Sequence, residues 1–256
     1  VCPVCGSKYI RVFGRGTQKL EDEIDKLFPG MSVLRMDADT TAAKGSHHRM
    51  LKAFGEKKYK LLVGTQMVAK GLDFDNVTLI APDLTLNMPE YKSSERVFRL
   101  ISQASGRAGR GQKPGEVIIQ SYEPEHYAVT AAAANDYEDF YNKELAVRKK
   151  MNYPPFCRIL RLIFTSSDEN AAQTEAKNAS NTLKTAMTDF KDTEVMTAPA
   201  PIERLHDKFR WHIVVKYSSC SHEAHKQLHK AVETVLEGNE FATVRISVDF
   251  SPTSLM

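Results

Sequence analysis

Two arginines stand out as residues that could do chemistry. They lie in the run Gln103-Ala-Ser-Gly106-Arg107-Ala-Gly109-Arg110. Each follows a glycine, and they are three positions apart, so two planar guanidiniums project from a backbone that packs closely. A guanidinium grips phosphate oxygens bidentately and stays charged at any working pH. By residue type alone, the run serves either a nucleotide phosphate or the phosphates of a nucleic acid, or is a plain surface loop. A second run lies upstream, Leu61-Leu-Val-Gly64-Thr65-Gln66-Met-Val-Ala-Lys70-Gly71-Leu-Asp73-Phe74. An apolar strand enters Gly-Thr there, a short helix follows, and Lys-Gly-x-Asp-Phe precedes the next strand. Taken singly, Thr65 and Gln66 read as a helix cap and Asp73 as a turn residue. Cys2 and Cys5 have the spacing of a zinc knuckle, in which two thiolates clasp one Zn²⁺. A structural zinc needs four ligands. Cys157 and Cys220 stand alone in other elements and read as small buried fillers, and His47 and His48 lie on a polar helix. A free thiol pair is therefore the other reading of Cys2 and Cys5, and no closed zinc site is expected within this chain.

Missing residues matter as much. A phosphate-wrapping loop needs Gly-Lys followed by Ser or Thr, and the chain contains no Gly-Lys dipeptide. Asp168-Glu169 follows an apolar strand and mimics a magnesium-binding box. No phosphate loop precedes it, and Asp168 is placed to cap a helix. The chain is therefore expected not to hydrolyse ATP by itself.

The elements that must position these residues follow from periodicity. From Tyr9 to about Tyr122, short apolar runs alternate with amphipathic stretches. Helix is expected over 18–27, strand over 32–36, a helix capped by Asp39 or Thr40 and reaching Phe54, then strands over 60–63 and 77–81. Val97, Leu100, Ile101 and Ala104 share one face of a helix over 95–104, and 117–121 closes the series as a strand. Such alternation argues for an α/β layer with a mostly parallel sheet. Two helices follow, over 124–134 and 136–150, the second with a capping box of Asn135 and Glu138. The segment Tyr153-Pro154-Pro155 ends it, and a domain boundary is placed near Met151. Beyond it the expected order is strand 159–165, helix 168–190, an extended stretch 194–202 interrupted by Pro199 and Pro201, strand 211–217, helix 221–236 and strand 243–250. The order β-α-β-β-α-β is that of the split βαβ, ferredoxin-like arrangement.

Composition sets outer limits. With 35 basic and 32 acidic residues the formal charge is +3, too mild for a nucleic-acid coat protein and too basic for an acidic disordered tail. No apolar run reaches ~18 residues, so no membrane span is expected. Four scattered cysteines make no disulfide scaffold, and no basic-then-apolar leader opens the chain. Basic character is local: Lys92, Arg96, Arg99, Arg107, Arg110 and Lys113 form one cluster, and Lys143, Arg148, Lys149, Lys150, Arg158 and Arg161 another. Either can track a phosphate backbone or serve as a solvated face. Trp211, the single tryptophan, stands in Lys208-Phe209-Arg210-Trp211; core is the better reading, base stacking the other.

The run Gln103–Arg110 resembles motif VI of superfamily 2 helicases, and Gly64–Phe74 resembles motif V. A wider set occurs in order: Cys2-Pro-Val-Cys5-Gly, Gly14-Arg-Gly-Thr17, Arg35-Met-Asp37-Ala-Asp39-Thr40-Thr41, the two motifs, and Asn152-Tyr-Pro-Pro-Phe156. Together they resemble the C-terminal part of the primosomal protein N′ (PriA) family of bacterial replication-restart helicases. The stretch Leu79 to Leu86 is a few residues shorter than the family pattern.

The resemblance implies a RecA-like second helicase lobe over 9–122, after a remnant of a zinc-binding segment at 1–8. A helical connector over 123–150 and a C-terminal α/β domain over 151–256 would follow. It implies that Arg107 and Arg110 act as arginine fingers on the γ-phosphate of ATP·Mg²⁺ bound to an absent first lobe. Gly71, Asp73 and Gln103 would face the nucleotide, and Thr65, Gln66 and Lys70 the DNA backbone. Cys2 and Cys5 would be half of a zinc site completed upstream. It further implies 3′-to-5′ unwinding of stalled forks in the bacterial cytoplasm and nucleoid. Forked or single-stranded DNA, single-strand-binding protein and primosome-loading proteins would be the partners. Two alternatives use the same residues: another superfamily 2 repair or fork-remodelling translocase, and a non-enzymatic DNA- or partner-binding module.

Overall fold

The computed structural model describes residues 17–37, 39–64, 78–106, 116–218, 221–239 and 243–255. They divide into two compact units. One takes the stretches up to Asn87 and Ser94–Phe140; the other takes Met88–Ser93 and everything from Tyr141 onward.

In the first unit the order is α1 (Thr17–Leu27), β1 (Val33–Met36), α2 (Ser46–Gly55), β2 (Leu61–Gly64), β3 (Thr78–Ile80), α3 (Asp83–Leu86), α4 (Ser93–Ser105), β4 (Val117–Ile119), α5 (Tyr127–Ala133) and α6 (Tyr137–Lys150). The last helix continues into the second unit. β1 pairs in parallel with β2, Met36 opposite Gly64. β3 pairs in parallel with β4, Ile80 opposite Ile119. Parallel pairing with helical crossovers is what the strand-helix alternation requires. The core forms where α4 presents Val97, Phe98, Ile101 and Ala104 to Ile80 and to the alanine-rich face of α5. Small residues line that face of α5, and Phe98 stacks on Phe140 with ring centroids 4.2 Å apart.

Three expected helix starts move. Asp39 and Thr40 do not cap a helix: α2 begins only at Ser46, after Gly45 at φ 79°. The Thr40 hydroxyl instead accepts from the Asp37 amide at 2.9 Å, and the Thr41 hydroxyl donates to the Asp37 carbonyl at 2.5 Å. Side chains that close a turn on Asp37 cannot also cap a helix. Asn135 takes a left-handed conformation at φ 54°, so the cap of α6 is Asp136, whose Oδ1 accepts from the Asp139 amide at 2.9 Å. α5 starts late because His126 is extended and uses its ring nitrogen to accept from the Ala128 amide.

The second unit runs β5 (Cys157–Ser166), α7 (Glu169–Ala186), β6 (Glu194–Leu205), β7 (Lys208–Ser218), α8 (His222–Glu237) and β8 (Arg245–Asp249). The sheet order is β6-β7-β5-β8, and each pair is antiparallel. That is the split βαβ topology expected from the element order. One sheet face packs Leu160, Leu162 and Phe164 of β5 and Ile213, Val215 and Tyr217 of β7 against α7 and α8, with Trp211 at its margin. On the opposite face Cys157, Ile159 and Val214 are covered by Tyr91, Tyr153 and Leu255. Burial on both faces explains why β5 reads as a nearly continuous apolar run rather than an alternating one. Asp168 caps α7 as expected, its Oδ1 accepting from the Asn170 and Ala171 amides at 2.9 and 3.3 Å. Pro199 and Pro201 sit on the edge strand β6, where the pairing shifts register between Pro199 and Arg204. Proline has no amide hydrogen to offer a ladder, so an edge is where it is tolerated.

Candidate functional site

Parallel pairing brings the carboxyl ends of β1 and β2 to one edge of the first unit, the side on which open α/β sheets receive ligands. Asp37 stands one residue beyond β1. Its Oδ2 accepts from the Thr17 hydroxyl at 2.5 Å, and its Oδ1 from the Thr40 amide at 2.9 Å. Arg35 Nε lies 3.0 Å from Oδ2, and a second Arg35 nitrogen lies 3.5 Å from Glu21. The Thr17 hydrogen bond first, then the Thr40 amide, holds the Asp37 carboxyl down at about 2. This carboxylate ties the start of α1 to the end of β1. Across the edge, Gly64 ends β2 and leads directly into Thr65 and Gln66.

A similar tie occurs beyond β3. Asp83 is buried, and its Oδ1 accepts from the Ser121 hydroxyl at 2.7 Å and the Tyr122 amide at 3.0 Å. It fastens the segment after β3 to the segment after β4.

α4 precedes the arginine run in the chain. Its buried face carries Val97, Ile101 and Ala104, which leaves Arg99 and Gln103 exposed on the opposite side. The Gly106 amide donates to the Ser102 carbonyl at 3.0 Å and closes the last turn. A Cβ at Gly106 would stand 3.3 Å from that carbonyl oxygen, so glycine is the residue this turn accepts most readily. Of the residues expected to carry chemistry, only Gln103 is among those described. Cys2, Cys5, Thr65, Gln66, Lys70, Gly71, Asp73, Arg107 and Arg110 lie outside the described residues, as does Cys220. Asp83 carries no signature in the sequence beyond following a strand, because its partners Ser121 and Tyr122 come from far along the chain; Asp37 stands in a family-like run, but its tie to Thr17 is not legible there.

The second unit holds a cleft of about 630 Å³, with Tyr91, Lys92, Arg158, Tyr217, His225 and His229 among its lining residues. Tyr91 stacks on Tyr153 at 5.3 Å, and its hydroxyl donates to the Pro252 carbonyl at 3.2 Å. Beside it the Ser254 hydroxyl donates to Glu90. Of the second basic cluster, Arg148 pairs with Glu144 at 2.7 Å, and Arg161 donates to the Ser254 carbonyl at 2.8 Å. These two cations are therefore engaged internally, while Lys149, Lys150 and Arg158 are exposed. Cys157 is buried, and burial pushes its thiol up, which agrees with its reading as a packing residue. Among the described residues no three His, Cys, Asp or Glu side chains converge on a metal position.

Residues 7–112 match the family model of the helicase conserved C-terminal domain, and residues 149–253 that of the primosomal protein N C-terminal domain. The replication restart protein PriA of Bacillus subtilis (strain 168) is 44% identical over 260 aligned residues, which cover 100% of this chain and 32% of that protein. The PriA proteins of Synechocystis and Chlamydia pneumoniae are 40% and 37% identical. They align with 86% and 90% of this chain and with 27% and 31% of their own lengths. The chain thus spans about a third of the length of the curated relatives it matches. With a helicase C-terminal domain followed by a PriA C-terminal domain, and with this identity along its length, the chain belongs to the PriA family of replication restart proteins and corresponds to its C-terminal part.

Proposed function

We propose that this chain is the rear portion of an ATP-dependent 3′-to-5′ DNA helicase that recognises stalled forks and restarts replication through primosome assembly. Residues 9–122 serve as its second motor lobe and residues 151–256 as its C-terminal domain. ATP and Mg²⁺ bind between this lobe and one bearing the phosphate loop that this chain lacks. Arg107 and Arg110 stabilise charge on the transferring γ-phosphoryl group, while Gln103, Gly71 and Asp73 face the nucleotide. Thr65, Gln66 and Lys70 follow the backbone of one DNA strand. Cys2 and Cys5 contribute two thiolates to a zinc site of the longer protein.

The observation that carries this reading is the shared carboxyl edge of β1 and β2. Asp37 is anchored there, and the strand that ends at Gly64 opposite Met36 is the one that precedes Thr65 and Gln66 in the sequence. α4, with its apolar face sunk in the core and Gln103 outward, supports the same reading for the arginine run. Forked or single-stranded DNA is the substrate, and single-strand-binding protein and primosome-loading proteins are the partners, in the bacterial cytoplasm and nucleoid. No helix among the described residues is long and apolar enough to cross a membrane.

The test uses the full-length parent. Arg107→Ala or Arg110→Ala is expected to retain fork binding and lose DNA-stimulated ATPase on the order of 10³-fold. Unchanged ATPase rates would overturn the finger assignment.

A further inference from the structure

His225 and His229 stand one turn apart on α8, at the i, i+4 spacing that puts two side chains on the same face. Their Nε2 atoms are 3.2 Å apart. Two imidazole nitrogens bound to one tetrahedral ion, each at 2.0–2.1 Å, stand about 3.3 Å apart. The nitrogen separation therefore matches the bite of a chelate, and with ring centroids 4.4 Å apart a small outward turn of the rings aims both lone pairs at one ion.

Both rings are held in place from behind. Nδ1 of His225 lies 2.9 Å from the hydroxyl of Tyr217, a residue buried in the sheet. The ring of His229 lies flat on Phe250, with centroids 3.8 Å apart and planes 1° from parallel. The two imidazoles meet nearly edge to face, at 80°. Both are only partly buried and line the open cleft of the second unit, so an ion from solvent can reach them.

We propose that His225 and His229 form an open binding site for a late first-row divalent transition ion of the zinc, nickel or copper class. Imidazole nitrogen selects these ions over magnesium or calcium, which take oxygen ligands. The Tyr217 hydroxyl is the outer partner that orients His225, as hydrogen-bonded groups behind ligating histidines do. Without the ion, one Nε2–H donates to the other Nε2. On binding, the shared proton moves to the far nitrogen of its own ring, and both Nε2 lone pairs turn to the ion. If that ring is His225, Tyr217 changes from donor to acceptor. With two protein donors the remaining positions belong to water or to an incoming ligand. Lys92 and Arg158 line the same cleft; they lower the affinity for a cation and favour an anionic group at the open positions. The site is thus exchangeable, unlike a four-ligand structural zinc.

The experiment uses the 256-residue chain with Cys2→Ser and Cys5→Ser, so that these thiols do not compete, and Ni²⁺ alone as probe. Calorimetric titration is expected to show one saturable equivalent and a rise in melting temperature with added Ni²⁺. His225→Gln and His229→Gln each lower the affinity at least ~10-fold, and Tyr217→Phe lowers it about 10-fold through the lost outer partner. His47→Ala with His48→Ala leaves it unchanged. If His225→Gln melts early without metal, His229→Gln decides, because that ring rests on Phe250. Absence of a saturable equivalent would overturn the proposal. So would binding that survives His229→Gln, or binding lost only with His47 and His48.

Discussion

Tyr91 lies face to face with Tyr153, ring centroids 5.3 Å apart and planes 18° from parallel, although the two are far apart in the chain. Lys92 and Arg148 both place cations over the Tyr91 ring, at 5.3 and 5.6 Å, while Lys216 sits 4.1 Å over the ring of Tyr153. The short Met88–Ser93 segment is thereby fastened within the second unit. Tyr91→Ala is expected to destabilise that unit by ~2–3 kcal/mol through lost packing. Tyr91→Phe, which gives up only the hydrogen bond to the Pro252 carbonyl, costs about 1 kcal/mol. Urea unfolding followed at Trp211 measures both. Equal losses for the two variants would mean that the ring stack contributes little.

Asp37 is expected to make the first unit acid-sensitive within a defined window. Its folded value, about 2, lies below the ordinary 3.8. The stabilisation it contributes is complete above pH ~4 and is lost as pH falls through about 2, where the folded carboxylate takes up its proton. Asp37→Asn is expected to flatten that part of the stability–pH curve. A urea midpoint that falls just as steeply in Asp37→Asn between pH 4 and 2 would assign the acid sensitivity to other groups.

Asp168 follows a β-strand and mimics a magnesium ligand in sequence, but its carboxylate is engaged by the first amides of α7. Asp168→Ala should therefore lower stability by ~1 kcal/mol and leave unchanged the DNA-stimulated ATPase proposed for the longer protein. An ATPase defect larger than the stability loss explains would restore a role in ion binding.

Gln103 is exposed on α4 while its neighbour Ala104 is buried. Gln103→Ala is expected to change stability by no more than ~0.5 kcal/mol while lowering the ATPase proposed for the longer protein. Intact ATPase in that variant would remove Gln103 from the nucleotide face.

The amino-acid sequence alone determined what depends on neighbours in the chain. Val97, Ile101 and Ala104 repeat at helical spacing and mark the buried face of α4. Asp168 stands at a helix start and does cap it, while Ser221, expected as the first helical residue, is the cap of α8. The six elements after Met151 are legible because β5 and β7 are long and apolar while α7 and α8 are amphipathic. Motif spacing also singles out Thr65, Arg107 and their neighbours as candidates, and the roles proposed for them rest on that spacing. Local rules failed where two short-range options compete. Thr40 and Thr41 can cap a helix or close a turn on Asp37, and Gly45, with its left-handed backbone, favours the later helix start. Only the tertiary structure decided which distant groups meet. Tyr91 finds Tyr153 and Pro252, Asp83 finds Ser121, and Tyr217 reaches across from the sheet to His225 on α8. These contacts depend on strand register and on which helix face is driven into the core. Burial of apolar area selects both over the whole unit, and no window of sequence contains that sum.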